Sequence, residues 1–232
     1  MTESVGTWIV PIARIHTDFP TKFGLPRQSG LVQGLEGIIV FEPAYREPEA
    51  LRGLEGFSHL WLIWQFSQSI CEEWSPTVRP PRLGGNKRVG VFASRSPFRP
   101  NSIGLSCVKL ESAELRHPDL GPVIYVSGID MMDGTPIFDI KPYVPHGDSR
   151  PEAKGGFSAQ VKDYELEVEF PEQWLRMIPK EKRISLIQVL AQDPRPAYQK
   201  EPERIYGFAF AGMEIKFTVE GTLLRVRKVE KR

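Results

Sequence analysis

This chain has little from which covalent or metal-centred chemistry is usually built. Of 232 residues, only two are cysteine and four are histidine. Cys71 and Cys107 form no C-x-x-C pair, and His16, His59, His117 and His146 are scattered, so no zinc spacing arises. The cysteines read as semi-buried thiols of a reducing compartment. Asp130, Asp133 and Asp139 fit no standard cation loop, and no metal is expected. There is no G-x-G-x-x-G after a first strand, no P-loop, no G-x-S-x-G elbow and no H-E-x-x-H. Dinucleotide-fold, P-loop, serine-elbow and zincin chemistries are thereby set aside. No apolar run approaches bilayer length, and the opening MTESVGTWIVPIARIHT lacks a basic segment followed by an apolar core, so a cytoplasmic location is expected. Acid is missing from one long stretch: no Asp or Glu stands between Trp74 and Leu110.

That stretch carries Arg79, Arg82, Lys87, Arg88, Arg95, Arg99 and Lys109, and Arg225, Arg227, Lys228, Lys231 and Arg232 close the chain. Acid gathers instead at Asp163, Glu165, Glu167, Glu169 and Glu172. A net charge of +1 therefore hides a segregation that gives either a face attractive to a polyanion or a solvated, salt-bridged surface. A hydrophobic content of 41% and a charged content of 25% are those of a globular protein.

The pattern predicts a mainly β fold. GTWIVPIARI, GIIVF, FSHLWLIWQF, RVGVFAS, IGLSCVKLESAEL and PVIYVSGIDM are short runs rich in Val, Ile, Phe and Trp, punctuated by Gly and Pro. Strands without intervening helices predict a barrel or sandwich over 1–145. One short helix is expected within EPAYREPEALRGLEG. Residues 146–159, polar and holding Pro, Gly and Ser, read as a linker or long exposed loop. Residues 160–232 read as a small α+β domain. YELEVEF is its acidic-faced strand, PEQWLRMI and KEKRISLIQVLAQ are its helices with Ile184, Ile187 and Ala191 as a face, and further strands turn near Gly212.

Three polar segments hang on the strands: KFGLPRQSG at 22–30, GVFASRSPFRPNSIGLS at 90–106 and MMDGTPIFDIKPY at 131–143. Each alone could be a turn whose side chains satisfy the local backbone. Three on one small barrel can instead converge on a ligand.

These segments, with RPPRLGGNKRVGVFASRSPFRPNSIGLS and RGLEGFSHLWLIWQF, resemble the TsaA-like (YaeB/TrmO) family of β-barrel S-adenosylmethionine-dependent methyltransferases. The resemblance covers residues 5–145, and DPRPAYQ with RIYGFAF resembles the small C-terminal domain of the bacterial branch. It implies methylation of N6 of threonylcarbamoyl-adenosine at tRNA position 37, a homodimer, and a cofactor site without a glycine loop. By this resemblance Pro26, Arg27, Gln28, Ser67, Gln68, Arg95, Leu105, Asp133, Gly134, Thr135 and Pro136 bind the cofactor. Ser67 departs from the His of many relatives, and Ser102 from their Pro.

The chemistry suits such a donor. A carboxylate would be met by Arg27 or Arg95, adenine by Leu105 and the D-G-T-P loop, and polar edges by Gln28 and Gln68. Asp139 and Asn101, with Arg99 beside them, are candidates near the methyl acceptor. An anticodon loop would be held by Arg79, Arg82, Lys87, Arg88, Arg99, Arg225 and Arg227, with Phe98 stacking on a base. The other readings are a non-catalytic RNA-binding barrel and a methyltransferase with a different acceptor.

Overall fold

The computed structural model describes residues 6–80, 87–161, 164–195, 201 and 203–232, without the side chains of 160 and 161. The N-terminal part is built from β1 (Ala13–Thr17), β2 (Glu36–Phe41), β3 (His59–Gln65), β4 (Thr77–Val78), β5 (Val89–Gly90), β6 (Ile103–His117), β7 (Gly121–Ser127) and β8 (Thr135–Pro142). Six of these close an antiparallel barrel in the order β1-β2-β7-β6-β3-β8, while β4 and β5 pair separately. Alternation decides which side chains fill it. In β3, Leu60, Leu62 and Trp64 are buried and His59, Trp61 and Ile63 are only partly covered. Ile15, Ile39, Leu60, Leu62, Val108, Ile124 and Ile137 lose all access to water and form the central core. Closure gives each of these six strands a neighbour on both sides.

After the barrel come a one-turn helix α1 (Pro145–Asp148) and a 3-10 segment at Gly156–Val161. The second layer has β9 (Glu167–Glu169), α2 (Glu172–Leu175), α3 (Arg183–Ala191), β10 (Tyr206–Phe210), β11 (Met213–Glu220) and β12 (Leu223–Lys231). Its sheet runs β10-β11-β12-β9, with β9 parallel to β12.

Some local expectations give way. The helix expected within 42–56 is three separate 3-10 turns, Pro43–Tyr45, Pro48–Leu51 and Leu54–Gly56. Pro43 and Pro48 lack the N–H a continuous helix needs, and Gly53 takes a left-handed φ of 85°. RVGVFAS yields a two-residue strand, then a 3-10 turn at Val91–Ala93 whose first N–H is claimed by the Pro76 carbonyl. Only the end of GTWIVPIARI is strand, and Trp8 lies 95% exposed. In α3 the buried face is Ser185, Leu186, Val189 and Leu190, while Ile184 is exposed. The helix is apolar on both sides, so periodicity alone does not choose a face. The Ser185 hydroxyl meets the Gln33 and Gly34 carbonyls, which favours this rotation.

The connection from β1 to β2 carries the contact between the two layers. Phe19 packs on Phe210 with ring centroids 5.0 Å apart, Lys182 pairs with Asp18 at 2.5 Å, and Ala211 N–H donates to the Asp18 carbonyl. Gly24 sits against Phe208 with a φ of 91°; a Cβ there would fall 2.3 Å from the ring. Gly24→Ala is therefore expected to lower stability by about 1–3 kcal/mol through overpacking alone. A urea unfolding curve checks this, and an unchanged midpoint would contradict the packing.

Candidate functional site

Antiparallel closure puts the ends of β1, β3 and β7 and the starts of β2, β6 and β8 at one rim of the barrel. Three connections meet there: 18–35, 66–102 and 128–134. Pro26, Arg27 and Gln28 lie in the first, Ser67, Gln68 and Arg95 in the second, and Asp133 and Gly134 in the third. Leu105 is the third residue of β6, and Thr135 and Pro136 begin β8. The sequence spreads these positions over 111 residues; the barrel returns them to one end.

The rim is open on one side because β6 and β7 part. Their register begins at Lys109↔Ser127, so residues 103–108 of β6 lie beyond it and pair with β3 alone. The 26–30 segment fills the gap. Cys107 N–H donates to Ser29 Oγ at 3.1 Å, and Gly30 N–H donates to the Gly128 carbonyl at 2.9 Å. Asp130 stands where the strands diverge. Ser106 Oγ donates to its carboxylate at 2.6 Å. Trp64 Nε1 donates to Ser106 Oγ at 2.9 Å, which leaves the hydroxyl proton for Asp130. Gly104 makes room for this indole, since a Cβ there would lie 2.3 Å from Trp64 Cε2.

Above this floor, an Arg95 Nη donates to Gln28 Oε1 and Gln28 Nε2 donates to the Arg27 carbonyl at 2.6 Å. Arg27 itself reaches the Asp193 carbonyl at 3.4 Å, in the C-terminal layer. Asp193 has a positive φ of 52°, and its carboxyl is low despite the desolvation that opposes this, because Arg195 and the Tyr164 hydroxyl bind it. Asp133 accepts from Thr17 N–H at 3.1 Å and meets His16 Nδ1 at the same distance. Thr135 Oγ1 closes the turn on the Met132 carbonyl. Leu105 is 53% exposed, on the outward side of β6 between buried Gly104 and Ser106. Ser67 and Gln68 are exposed, and Phe66 N–H is tied to the Ser102 carbonyl at 2.8 Å.

The basic candidates divide. Arg79 and Lys87 are exposed, and Arg88 is exposed but directed by Thr77 Oγ1 at 2.8 Å. Arg99 donates to the Val91 and Ser94 carbonyls, so it holds its own loop together. Its guanidinium also lies 6.0 Å from the Phe92 ring, which neighbours Trp74 at 6.2 Å. Phe92 is 74% exposed, and Trp74 and Phe98 are each about half exposed, giving an aromatic and basic surface. Arg225 is taken by Glu169 at 2.8 Å with Glu220 nearby, and Arg227 by Thr218 Oγ1 at 2.9 Å. Arg82 lies outside the described residues. Asp139 sits within β8, paired with Lys141 at 2.8 Å, whereas Asn101 is exposed in the rim connection. Among the described residues, no three His, Cys, Asp or Glu side chains gather as a metal site, and no helix is long and apolar enough to cross a membrane.

Sequence reasoning missed Ser29, Ser106, Asp130, Trp74 and Phe92. Asp130 did carry a signal: it follows the apolar run PVIYVSGI directly, where a carboxylate is placed at a strand end with little water. Desolvation pushes its carboxyl up from the ordinary 3.8 to about 6, against the lowering effects of Ser106, Ser29 and Arg95.

The tRNA-methyltransferase O N-terminal domain model matches residues 14–149, and the TrmO C-terminal domain model matches 163–232. The tRNA (adenine(37)-N6)-methyltransferase of Escherichia coli K12 is 44% identical over 198 residues, covering 83% of each chain. A Pseudomonas aeruginosa chain, provisionally named as an S-adenosylmethionine-dependent methyltransferase, is 43% identical over 93% of this chain and 92% of its own. The crystal structure of TrmO from Pseudomonas aeruginosa superposes with a TM-score of 0.79 at 34% identity, covering both chains fully.

The raised carboxyl of Asp130 has a thermodynamic consequence. Well below pH 3.8 it is neutral in the folded and unfolded chain alike. Between about 4 and 6 the unfolded chain loses the proton first, so ionisation of Asp130 costs the folded state at most about 3 kcal/mol at neutral pH. Asp130→Asn is expected to be at least as stable as the parent at pH 7.5, with any advantage shrinking towards pH 4. Urea unfolding of both proteins across this range checks the sign; an advantage that grows on acidification would contradict it.

Proposed function

The chain belongs to the tRNA-methyltransferase O family, and from that premise we propose that its open barrel rim binds S-adenosylmethionine and methylates N6 of threonylcarbamoyl-adenosine at tRNA position 37. The observation that carries this reading is the Arg95–Gln28 hydrogen bond, which joins two rim connections that are distant in sequence. The donor set on the rim fits the cofactor's chemistry: a cation for a carboxylate, an amide that both donates and accepts, and an exposed apolar side chain for a ring. Arg95 or Arg27 would hold the amino-acid carboxylate, and Leu105 with Asp133, Gly134, Thr135 and Pro136 would hold the adenosine. Gln28, Gln68, Pro26 and Ser67 would line the remainder.

The cofactor supplies a methyl group already activated by a positive sulfur. The chain's task is then alignment of an acceptor nitrogen with that carbon and exclusion of competing geometries. Asn101, in the rim connection, and Asp139, deeper in β8, are the candidates for steadying the amine and its proton. The anticodon loop would lie across Arg79, Lys87 and Arg88, with Phe98, Phe92 and Trp74 offering faces on which splayed bases stack. Residues 1–145 would form the catalytic unit, 146–159 its connection, and 160–232 a unit that helps to hold the tRNA. We place the protein in the cytoplasm as a homodimer.

Nucleoside analysis by mass spectrometry of tRNA incubated with the protein and S-adenosylmethionine tests the reading. One methyl group is expected on threonylcarbamoyl-adenosine. Cofactor binding with no methylated nucleoside would favour a different acceptor, and tRNA binding without cofactor binding a non-catalytic barrel. Arg95→Ala should weaken S-adenosylmethionine binding about 10–100-fold in calorimetry, the scale of a lost charge-assisted hydrogen bond. Unchanged affinity would reject its placement. The affinity for tRNA should fall about tenfold or more between about 50 and 200 mM salt; a flat response would remove the basic footprint.

A further inference from the structure

Asp130 stands outside every role assigned above, yet it is the point on which the rim's floor closes. Ser106 Oγ on β6 donates to its carboxylate at 2.6 Å, and Ser29, whose backbone helps to lower the same carboxyl, lies on the 26–30 segment and accepts from Cys107 N–H of β6 at 3.1 Å. Ser29 follows Pro26–Gln28 directly, and Ser106 follows Leu105, so both serines are next neighbours of candidate cofactor residues. Trp64 fixes which way the Ser106 hydroxyl points, so the serine offers Asp130 a proton and not a lone pair. That arrangement matches a carboxylate and not a carboxylic acid. The positive charge of Arg95 also lowers the Asp130 carboxyl, and it is the same arginine that donates to Gln28. An acid kept at a strand end, where its ionisation costs stability, calls for a use.

Resting on the cofactor reading above, we propose that Asp130 is a positioning residue for the methyl donor. Its ionised carboxylate holds the P-R-Q-S segment against the unpaired half of β6 and draws Arg95 into the orientation in which it grips Gln28. Protonation removes the charge that holds Arg95 and one acceptor from the floor, and the cofactor segment slackens. Donor binding is thereby tied to the protonation state of a residue that need not touch the donor. His16, which meets Asp133 on the neighbouring connection, is a second ionisable group at this rim. The wild-type pH profile alone therefore does not isolate Asp130; comparison with a variant does.

The test is calorimetric titration of the full chain with S-adenosylmethionine at pH 7.5 and 5.5, for the parent and Asp130→Asn, with folding checked by urea unfolding at both. The variant is expected to bind about tenfold more weakly at pH 7.5 while staying folded, and that ratio should shrink by about threefold or more at pH 5.5, where the parent's carboxylate is largely protonated. Equal affinity at pH 7.5, or a ratio that does not change with pH, would overturn the proposal. If Asp130→Asn does not fold, Ser106→Ala decides. Losing the Ser106 donor raises the Asp130 carboxyl further, so the midpoint of pH-dependent binding should move up, and a stationary midpoint overturns the proposal. A parent that binds no S-adenosylmethionine, alone or with tRNA, would remove the cofactor reading itself; binding by the parent with an indifferent variant would remove only this inference.

Discussion

The rim depends on one hydrogen-bonded junction, in which Ser29 accepts from Cys107 N–H and Ser106 passes on the bond from Trp64 by donating to Asp130. A barrel strand that parts from its neighbour leaves backbone donors and acceptors that another segment must satisfy. Here β6 and β7 part below Lys109↔Ser127, and exposed backbone groups would be left without partners there. The 26–30 segment supplies partners there through Ser29 Oγ and Gly30 N–H. The segment that repairs the barrel is thus the one that carries Pro26, Arg27 and Gln28.

The same β1–β2 connection holds the C-terminal layer. Asp18, Phe19 and Gly24 meet Lys182, Phe210 and Phe208 at its beginning, and Arg27 meets the Asp193 carbonyl further along. The C-terminal layer therefore bears on the segment that faces the candidate site, and removing it would loosen Arg27 as well as expose Phe19. Its acidic strand offsets basic residues nearby, since Glu169 takes Arg225. In the rim connection the exposed cations Arg79, Lys87, Arg88 and Arg95 all come from the acid-free stretch after Trp74.

Much of this was legible in the sequence. Alternating apolar runs identified most of the barrel strands because a half-buried strand records its burial with a period of two. The polar segments P-R-Q, S-R-S-P-F-R-P and D-G-T-P could be picked out as loops, and all lie on the rim. Harder to read were choices settled by tertiary contacts. The face of α3 depended on Ser185 meeting a distant carbonyl, and Pro43 and Pro48 divided what composition suggested was one helix. Asp130 went unrecognised because its partners, Ser29 and Ser106, are 101 and 24 residues away in sequence. Phe92 read as the middle of a strand, and only the 3-10 turn at Val91–Ala93 turns its ring to solvent.

A crystal structure of the protein with S-adenosylhomocysteine would test the location of the site most directly. The ligand is expected at the open rim, in contact with Arg95 and Leu105 and bounded by residues 26–28 and 133–136. A ligand bound at the opposite end of the barrel, among the connections at 42–58 and 118–120, would contradict that location.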